Sequence, residues 1–353
     1  MSLADFGYAN YLNQFDVATE RPPEDTVARV IAEHKERYVV VTQNGELDAE
    51  ITGNMRYSAQ TRADFPAVGD WVGLQIYDEY SAVIHTILPR FSVLQRQAIG
   101  QTKDAQIIAT NINGALLLQA VNRDFNLNRL ERYLAICHAS GVRPIIVLSK
   151  IDLITLSELA DILQTLRARI ADAPIYTISN ETREGLELLS QQLIAGETYC
   201  LLGSSGVGKS SLLNHLAGQS LMKTAQIGQG NQRGKHITTH REMMVLATGA
   251  ILIDNPGMRE VGVTDAQGVA QTFAHITQLA QSCKFHDCQH QTETDCAVLE
   301  AIRLGKLDAQ TLDNYHKTQR EQAFFEASLH EKKQKDKNFG KMLKNFQKGK
   351  HPY

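Results

Sequence analysis

The eight residues Gly203-Ser-Ser-Gly-Val-Gly-Lys-Ser210 constrain this chain more than any other stretch, because they match the phosphate-cradling pattern G-x-x-x-x-G-K-[ST] at every defined position. The apolar run Thr198-Tyr-Cys-Leu-Leu202 precedes them and Ser211-Leu-Leu-Asn-His-Leu216 follows, so the motif lies between a predicted strand and a predicted helix. Gly203, Gly206 and Gly208 let the backbone turn its N–H groups toward phosphate oxygens, and the helix N-terminus adds its positive end. In such a loop Lys209 reaches the β- and γ-phosphates and Ser210 ligates Mg²⁺, with Ser204, Ser205, Val207 and Ser211 completing the cradle. The chain is expected to bind a nucleoside triphosphate.

A chain of 353 residues has room for two or three domains. Residues 1–34 have mixed polarity and carry Arg21-Pro-Pro-Glu24, which reads as an N-terminal extension. Across residues 35–97, Tyr38–Thr42, Leu47–Ile51, Trp71–Ile76 and Ser81–Ile87 are short β-rich runs separated by turn signals such as Asn44-Gly45. This spacing predicts a small barrel of the oligonucleotide-binding (OB) type. Arg56, Arg62, Arg90 and Arg96 either give that barrel a basic face or are ordinary surface.

From residue 98 to 260 strands and helices alternate. Strands are predicted at Gly114–Ala120, Pro144–Leu148, Ile175–Ile178, Thr198–Leu202, Met243–Leu246 and Ala250–Ile253, with helices at Leu127–His138, Leu156–Ile170 and Gly185–Ile194. Such alternation predicts an α/β domain with a wound, mostly parallel sheet. Residues 261–330 are helical and polar around a cysteine cluster.

Two further loops say which nucleotide is bound. Guanine offers its N1–H and exocyclic amine as paired donors, which a carboxylate accepts and adenine cannot supply. Ser149-Lys-Ile-Asp152 follows an apolar strand, so Asp152 is placed to take the two donors while the stem of Lys150 covers the ring and Ile151 holds the turn. Ser179-Asn180, after the next strand, is placed to meet guanine O6 with a backbone N–H. Asp254-Asn-Pro-Gly257 ends a strand 44 residues beyond Ser210, where Asp254 holds Mg²⁺ through water and the Gly257 N–H meets the γ-phosphate. Between them, Thr238 and Thr239 lie in a Gly-rich segment, and one of the two closes over Mg²⁺. Both base-reading loops precede the phosphate loop, whereas ordinary GTPases have them after it.

That order resembles the circularly permuted GTPases. With a barrel before it and a cysteine cluster after it, the chain closely resembles the ribosome small-subunit-dependent GTPase A family from about Arg37 to Leu307. Val68-Gly-Asp-Trp-Val72, Ile87-Leu-Pro-Arg90, Asp124-Phe-Asn-Leu127, Gly234-Lys-His-Ile-Thr-Thr239 and the stretch from Asp254 to Glu260 also look like the family. The resemblance implies an OB barrel, a permuted GTPase domain and a zinc-binding helical domain. It implies GTP and GDP as ligands, and hydrolysis stimulated by the 16S rRNA of the small (30S) ribosomal subunit during its late maturation. Other subunit assembly factors join the expected partners, with the protein a monomer.

Two positions depart from the family pattern. Ser149 stands where asparagine is usual, which predicts loss of the amide that reaches guanine N7 and braces the phosphate loop, about 1–2 kcal/mol for one hydrogen bond. Lys235 replaces an arginine. Met258 occupies the place of the water-orienting glutamine of Ras-like enzymes and cannot act as one; the resemblance assigns that role to His236. Two other readings stand beside this one: a phosphate-loop ATPase, which leaves Asp152 without a purpose, and an RNA-binding assembly scaffold with an inert nucleotide site.

Five cysteines, three of them between residues 283 and 296, suit metal binding in a reducing compartment better than a disulfide framework. Cys283, Cys288, His290 and Cys296 form a closed Cys₃His set for one structural Zn²⁺, with His286 a competitor by proximity and the family pattern favouring His290. Cys137 and Cys200 read as core. The balance of 36 Lys+Arg against 39 Asp+Glu argues neither for nor against nucleic acid. The tail 331–353 carries eight lysines against Glu331 and Asp336, either a solvated end or an arm for phosphate backbone. Neither a membrane span nor a signal peptide is expected, which places the protein in the cytoplasm.

Overall fold

The structure, a computed structural model, describes residues 1–15, 26–34, 37–97, 105–122, 125–170, 172–218, 242–254 and 266–323. Five strands, β1 (Val27–His34), β2 (Arg37–Thr42), β3 (Gly45–Ile51), β4 (Trp71–Ile76) and β5 (Ser81–Ile87), run in the order β1-β2-β3-β5-β4, and pairing of β1 with β4 closes the ring. All pairings are antiparallel except β3 with β5, which gives the five-stranded OB barrel. Alternation along β3 places Ala49 and Ile51 inside with Val30, Val40, Val72 and Ile84.

Residues 1–34, read from their polarity as an extension, supply a helix and a strand to this barrel. Helix α1 (Tyr8–Leu12) sets Tyr8 and Tyr11 against Trp71, with ring centroids 4.9 and 5.2 Å away. Strand β1 is buried on both faces, so it lacks the alternation by which a half-buried strand is recognised. Arg29 in its middle donates to the carbonyls of Phe6, Gly69 and Asn111 and to Thr198 Oγ1, with its guanidinium 5.1 Å from the Trp71 ring centre. Burial lowers its pKa to about 9, against the opposing pull of Asp70.

Strand β1 also pairs with β12 (Glu242–Val245) through Ala32 and Glu242, so the barrel and the sheet of the α/β part form one eleven-stranded sheet. A hairpin of β6 (Val93–Gln97) and β7 (Ala105–Thr110), not expected from the sequence, leads into the α/β part. There β8 (Gly114–Ala120), β9 (Arg143–Ser149), β10 (Ile175–Ile178), β11 (Thr198–Leu202) and β13 (Ile251–Asp254) are parallel in the order β10-β9-β8-β11-β13, and the antiparallel β12 lies between β13 and β1. Strands β8, β11 and β13 are buried throughout, as expected for a sheet covered on both faces. The chain winds from β8 outward to β10, then returns to the other side of β8 as β11. The crevice beyond the carboxyl ends of β8 and β11 is therefore the switch point where such sheets bind ligands.

Helices α3 (Leu127–Ala139) and α4 (Leu156–Arg169) are capped by Asn126 and by a Thr155–Glu158 capping box. They follow α2 (Gly53–Ser58) of the barrel and precede α5 (Leu186–Gln191) and α6 (Lys209–Ala217). Helices α7 (Ala266–Thr272), α8 (Ala274–Ala280) and α9 (Ala297–Arg303), with a helix over 309–323, share a core with the sheet through Phe273, Ile276, Val298 and Leu312. A Cβ on Gly268 would lie 2.2 Å from the carbonyl oxygen of Ala135, so α7 approaches α3 as only glycine allows. Arg169 and Glu131, both nearly inaccessible, pair at 2.8 Å, and Asn314 donates to the same carboxylate, tying the last helix to α3 and α4.

Candidate nucleotide site and metal cluster

The phosphate loop leaves β11 at Gly203, where a Cβ would stand 2.6 Å from the Leu118 carbonyl oxygen of the neighbouring strand. Gly208 has φ 95° and lies directly before α6, and a Cβ there would meet the Asn180 amide nitrogen at 2.7 Å. The Lys209 ammonium folds back over the loop and donates to the carbonyls of Gly203 and Ser204, both at 2.7 Å. Burial lowers the pKa of Lys209 and the Asp254 carboxylate opposes that shift. Asp254, at the end of β13 and 6% exposed, arrives beside the loop because β13 runs parallel to β11. Ser210 and Asp254 are hard oxygen donors, a set that suits Mg²⁺.

The two loops expected from the sequence to read the base reach the same edge on β9 and β10. Lys150 takes a left-handed conformation, φ 63°, and turns the chain into the short helix Ile151–Leu153 that carries Asp152. The Ser179 hydroxyl donates to Asp152 Oδ1 at 2.5 Å and accepts from the N–H groups of Glu181 and Thr182, at 3.2 and 3.1 Å. Its lone pairs are thus committed to the backbone and its proton to the carboxylate, which aims Asp152.

Ser149 requires a correction to the sequence reading. Its buried hydroxyl donates to the Val207 carbonyl at 2.7 Å, so a brace between this strand and the phosphate loop survives the change from asparagine. A second brace comes from Asn180, whose amide donates to the Gly208 carbonyl at 3.3 Å while its backbone carbonyl meets His215 Nε2 at 3.0 Å. Sequence reasoning used only the backbone of Asn180; an asparagine two positions from the strand end carries no signal of where its amide points. It also passed over Arg129, which donates to the Ser204 hydroxyl at 3.2 Å. Ser149, Lys150, Ile151, Asp152, Ser179, Asn180, residues 203–211 and Asp254 are thus brought to one edge of the sheet. His236, Thr238, Thr239 and Gly257, with Lys235 and Met258, lie outside the described residues, as does the tail 331–353.

The cysteine cluster assembles as expected. The ligand atoms of Cys283, Cys288, His290 and Cys296 lie within 4.8 Å of one another. Cys283 Sγ is 3.6 Å from His290 Nδ1 and 3.8 Å from Cys296 Sγ, and His290 Nδ1 is 3.4 Å from Cys296 Sγ. The vertices of a tetrahedron around zinc with thiolate bonds of about 2.3 Å are about 3.7 Å apart, so the set fits the ion. His290 is 7% exposed and turned inward by a φ of 57°, whereas His286 is exposed and outside the cluster. Cys137 and Cys200 are core thiols, and burial pushes Cys137 up to about 12.

On the barrel, Arg90 is not part of a basic face: it pairs with buried Asp70 at 2.6 Å and donates to the carbonyls of Ala63 and Phe65. The barrel instead displays Tyr57, Tyr77 and Tyr80, all strongly exposed, which the sequence reading missed. Among the described residues no helix is long and apolar enough to cross a membrane.

A phosphate loop at the switch point, with the Asp152 and Asn180 loops on earlier strands and an OB barrel joined to the sheet, defines a circularly permuted GTPase. The RsgA GTPase family model matches residues 87–264, which takes in every nucleotide motif, and the chain belongs to the RsgA GTPase family. It is 45% identical to small ribosomal subunit biogenesis GTPase RsgA 2 of Lactiplantibacillus plantarum over 84% of each chain. It is 41% identical to the RsgA of Opitutus terrae over 84% of this chain and 83% of that one. The crystal structure of YjeQ from Thermotoga maritima has the same fold, with a TM-score of 0.62 at 23% identity over 84% of this chain and 98% of that one. YloQ, a circularly permuted GTPase, superposes with a TM-score of 0.61 at 24% identity, covering 86% and 98%. An ABC transporter model matches residues 186–348; it contains the phosphate loop but begins after both base-reading loops.

Proposed function

We propose that this protein hydrolyses GTP to GDP and phosphate on the small (30S) ribosomal subunit, late in its maturation, with 16S rRNA stimulating the step. The observation that carries the reading is the Ser179 clamp on Asp152 at the sheet edge where the phosphate loop opens. A carboxylate held there accepts the two guanine donors, and an ATPase would have no use for it. The relatives' names supply the partner, the small ribosomal subunit.

In this reading Lys150 covers the base, residues 203–211 cradle the phosphates, and Lys209 with the Gly257 N–H meets the γ-phosphate. Ser210, Asp254 and one of Thr238 and Thr239 hold Mg²⁺, which neutralises charge on the β- and γ-phosphates. His236 orients the attacking water in place of the absent glutamine. Cys283, Cys288, His290 and Cys296 hold one Zn²⁺ that fixes the loop between α8 and α9. The exposed tyrosines of the barrel offer stacking surfaces for unpaired bases, and the lysine tail offers charge for phosphate backbone. The protein acts as a monomer in the cytoplasm, with other assembly factors as further partners on the subunit.

The test is phosphate release from GTP by zinc-loaded protein, alone and with purified small subunits, with ATP and Lys209→Ala as controls. Stimulation with GTP and not ATP, lost in the Lys209 variant, is the expected result. Tight GTP binding without stimulation would replace the enzyme reading by that of an RNA-binding scaffold.

A further inference from the structure

The first turn of α3 brings a second cation to the phosphate loop. Arg129 Nη1 donates to the Ser204 hydroxyl at 3.2 Å, and the Ser204 carbonyl accepts from Lys209 Nζ at 2.7 Å. Lysine and arginine therefore grip one residue of the loop from its two ends. The backbone of Arg129 is itself fixed, since its N–H donates to the side chain of the capping residue Asn126 at 3.0 Å. Helix α3 follows β8, whose carboxyl end lies beside that of β11 in the register Leu117 to Leu202, so the arginine reaches across the switch point from the adjoining strand–helix unit.

A guanidinium has five donor hydrogens and stays charged at every working pH. One donor of Arg129 goes to Ser204, and among the described residues no carboxylate pairs with it, whereas Arg132 on the same helix pairs with Glu321 at 2.7 Å. A half-buried cation without a carboxylate partner, aimed at a phosphate loop, is placed to meet anionic oxygen.

We propose that Arg129 is an in-chain cation for GTP hydrolysis, held in place by Ser204 and acting on the oxygen that bridges the β- and γ-phosphates. This inference rests on the GTPase reading. As the oxygen of water bonds to the γ-phosphorus, the bond from that phosphorus to the bridging oxygen breaks. The electron pair stays on GDP, and the proton of the water leaves with the inorganic phosphate. Charge on the bridging oxygen grows only as that bond breaks, so a guanidinium there stabilises the transition state more than bound GTP. Met258 stands where Ras-like enzymes have glutamine and offers neither charge nor donor, and His236, which orients the attacking water in this reading, leaves the bridging oxygen to another group.

The test compares wild type with Arg129→Ala, Arg129→Lys and Arg132→Ala, by GDP and GTP titration and by single-turnover hydrolysis with and without small subunits. Arg129→Ala is expected to slow hydrolysis by about 100-fold at saturating GTP, while its Kd for GDP stays within about threefold. Added guanidinium ion should restore part of the rate, Arg129→Lys should fall between, and Arg132→Ala should turn over GTP without subunits as wild type does. Wild-type turnover by Arg129→Ala would overturn the inference and leave the GTPase reading intact. Equal losses of GDP and GTP affinity with an unchanged rate would also overturn it, making Arg129 a brace of the loop. Absence of GTP turnover by the wild-type protein would overturn both.

Discussion

Ser179→Ala tests the base-reading role proposed for Asp152. The hydroxyl makes three hydrogen bonds, two of them accepted from the N–H groups of Glu181 and Thr182. The third, donated to the Asp152 carboxylate at 2.5 Å, is charge-assisted, and such bonds contribute about 1.5–3 kcal/mol. Without it Asp152 is free to rotate away from the guanine edge. The expected loss is about 10- to 100-fold in affinity, the same for GDP and GTP because the base does not change during hydrolysis. The rate at saturating GTP should stay within about twofold of wild type, and discrimination against ATP should narrow. Titration of fluorescent GDP and GTP, with ATP competition and single-turnover hydrolysis, reads all three quantities. A GDP Kd within twofold of wild type, or a slower rate at unchanged Kd, would refute the assignment of Asp152 and Ser179 to the base.

The other expectations concern support of the site. Arg169→Ala leaves the Glu131 carboxylate buried without its cation and should cost about 3–5 kcal/mol in denaturant unfolding; a loss below about 1 kcal/mol would show the pair to be dispensable. Gly208→Ala places a Cβ at φ 95° and 2.7 Å from the Asn180 amide, so nucleotide affinity should fall, and unchanged GDP titration would contradict the brace. Glu293 accepts from the N–H groups of Gln289, Gln291 and Thr292 between two cluster ligands, and these bonds hold its pKa at about 2. Because its folded pKa lies below the ordinary 4.5, its contribution is fully present above pH 4.5 and disappears as pH falls toward about 2. Glu293→Gln should therefore release zinc to a chelator faster than wild type at pH 7, and equal release rates would remove Glu293 from the support of the metal loop.

Much of the nucleotide-binding half was legible because its signals are local. Gly114–Ala120 and Thr198–Leu202 are apolar runs long enough for a strand buried on both faces, and the structure has them, and the half-buried outer strand Ile175–Ile178, with the predicted bounds. The phosphate loop and the Asp152 loop are read from contiguous residues, since their chemistry depends on backbone turns a few residues long. The cysteine cluster spans 14 residues, short enough for one loop to gather all four ligands.

Other features exist only where distant segments meet. Strand β1 lacks the alternation of a half-buried strand and carries Arg29 inside it, and that guanidinium is tolerated there because four acceptors from elsewhere in the chain satisfy it. Arg90 looks like a surface charge in sequence and is an internal brace because the pairing of β4 with β5 sets it beside the buried Asp70. The choice of His290 over His286 was made by burial and by a left-handed turn, not by spacing. The sequence alone carried the phosphate loop, the permuted order of the motifs and the three cysteines of the cluster, because each is written in residues close together along the chain. Tertiary structure alone decided that Ser149 and Asn180 share the brace on the phosphate loop and that Arg129 reaches Ser204. Those contacts join residues 58, 28 and 75 positions apart, and only the winding of the sheet brings their strand ends to one edge.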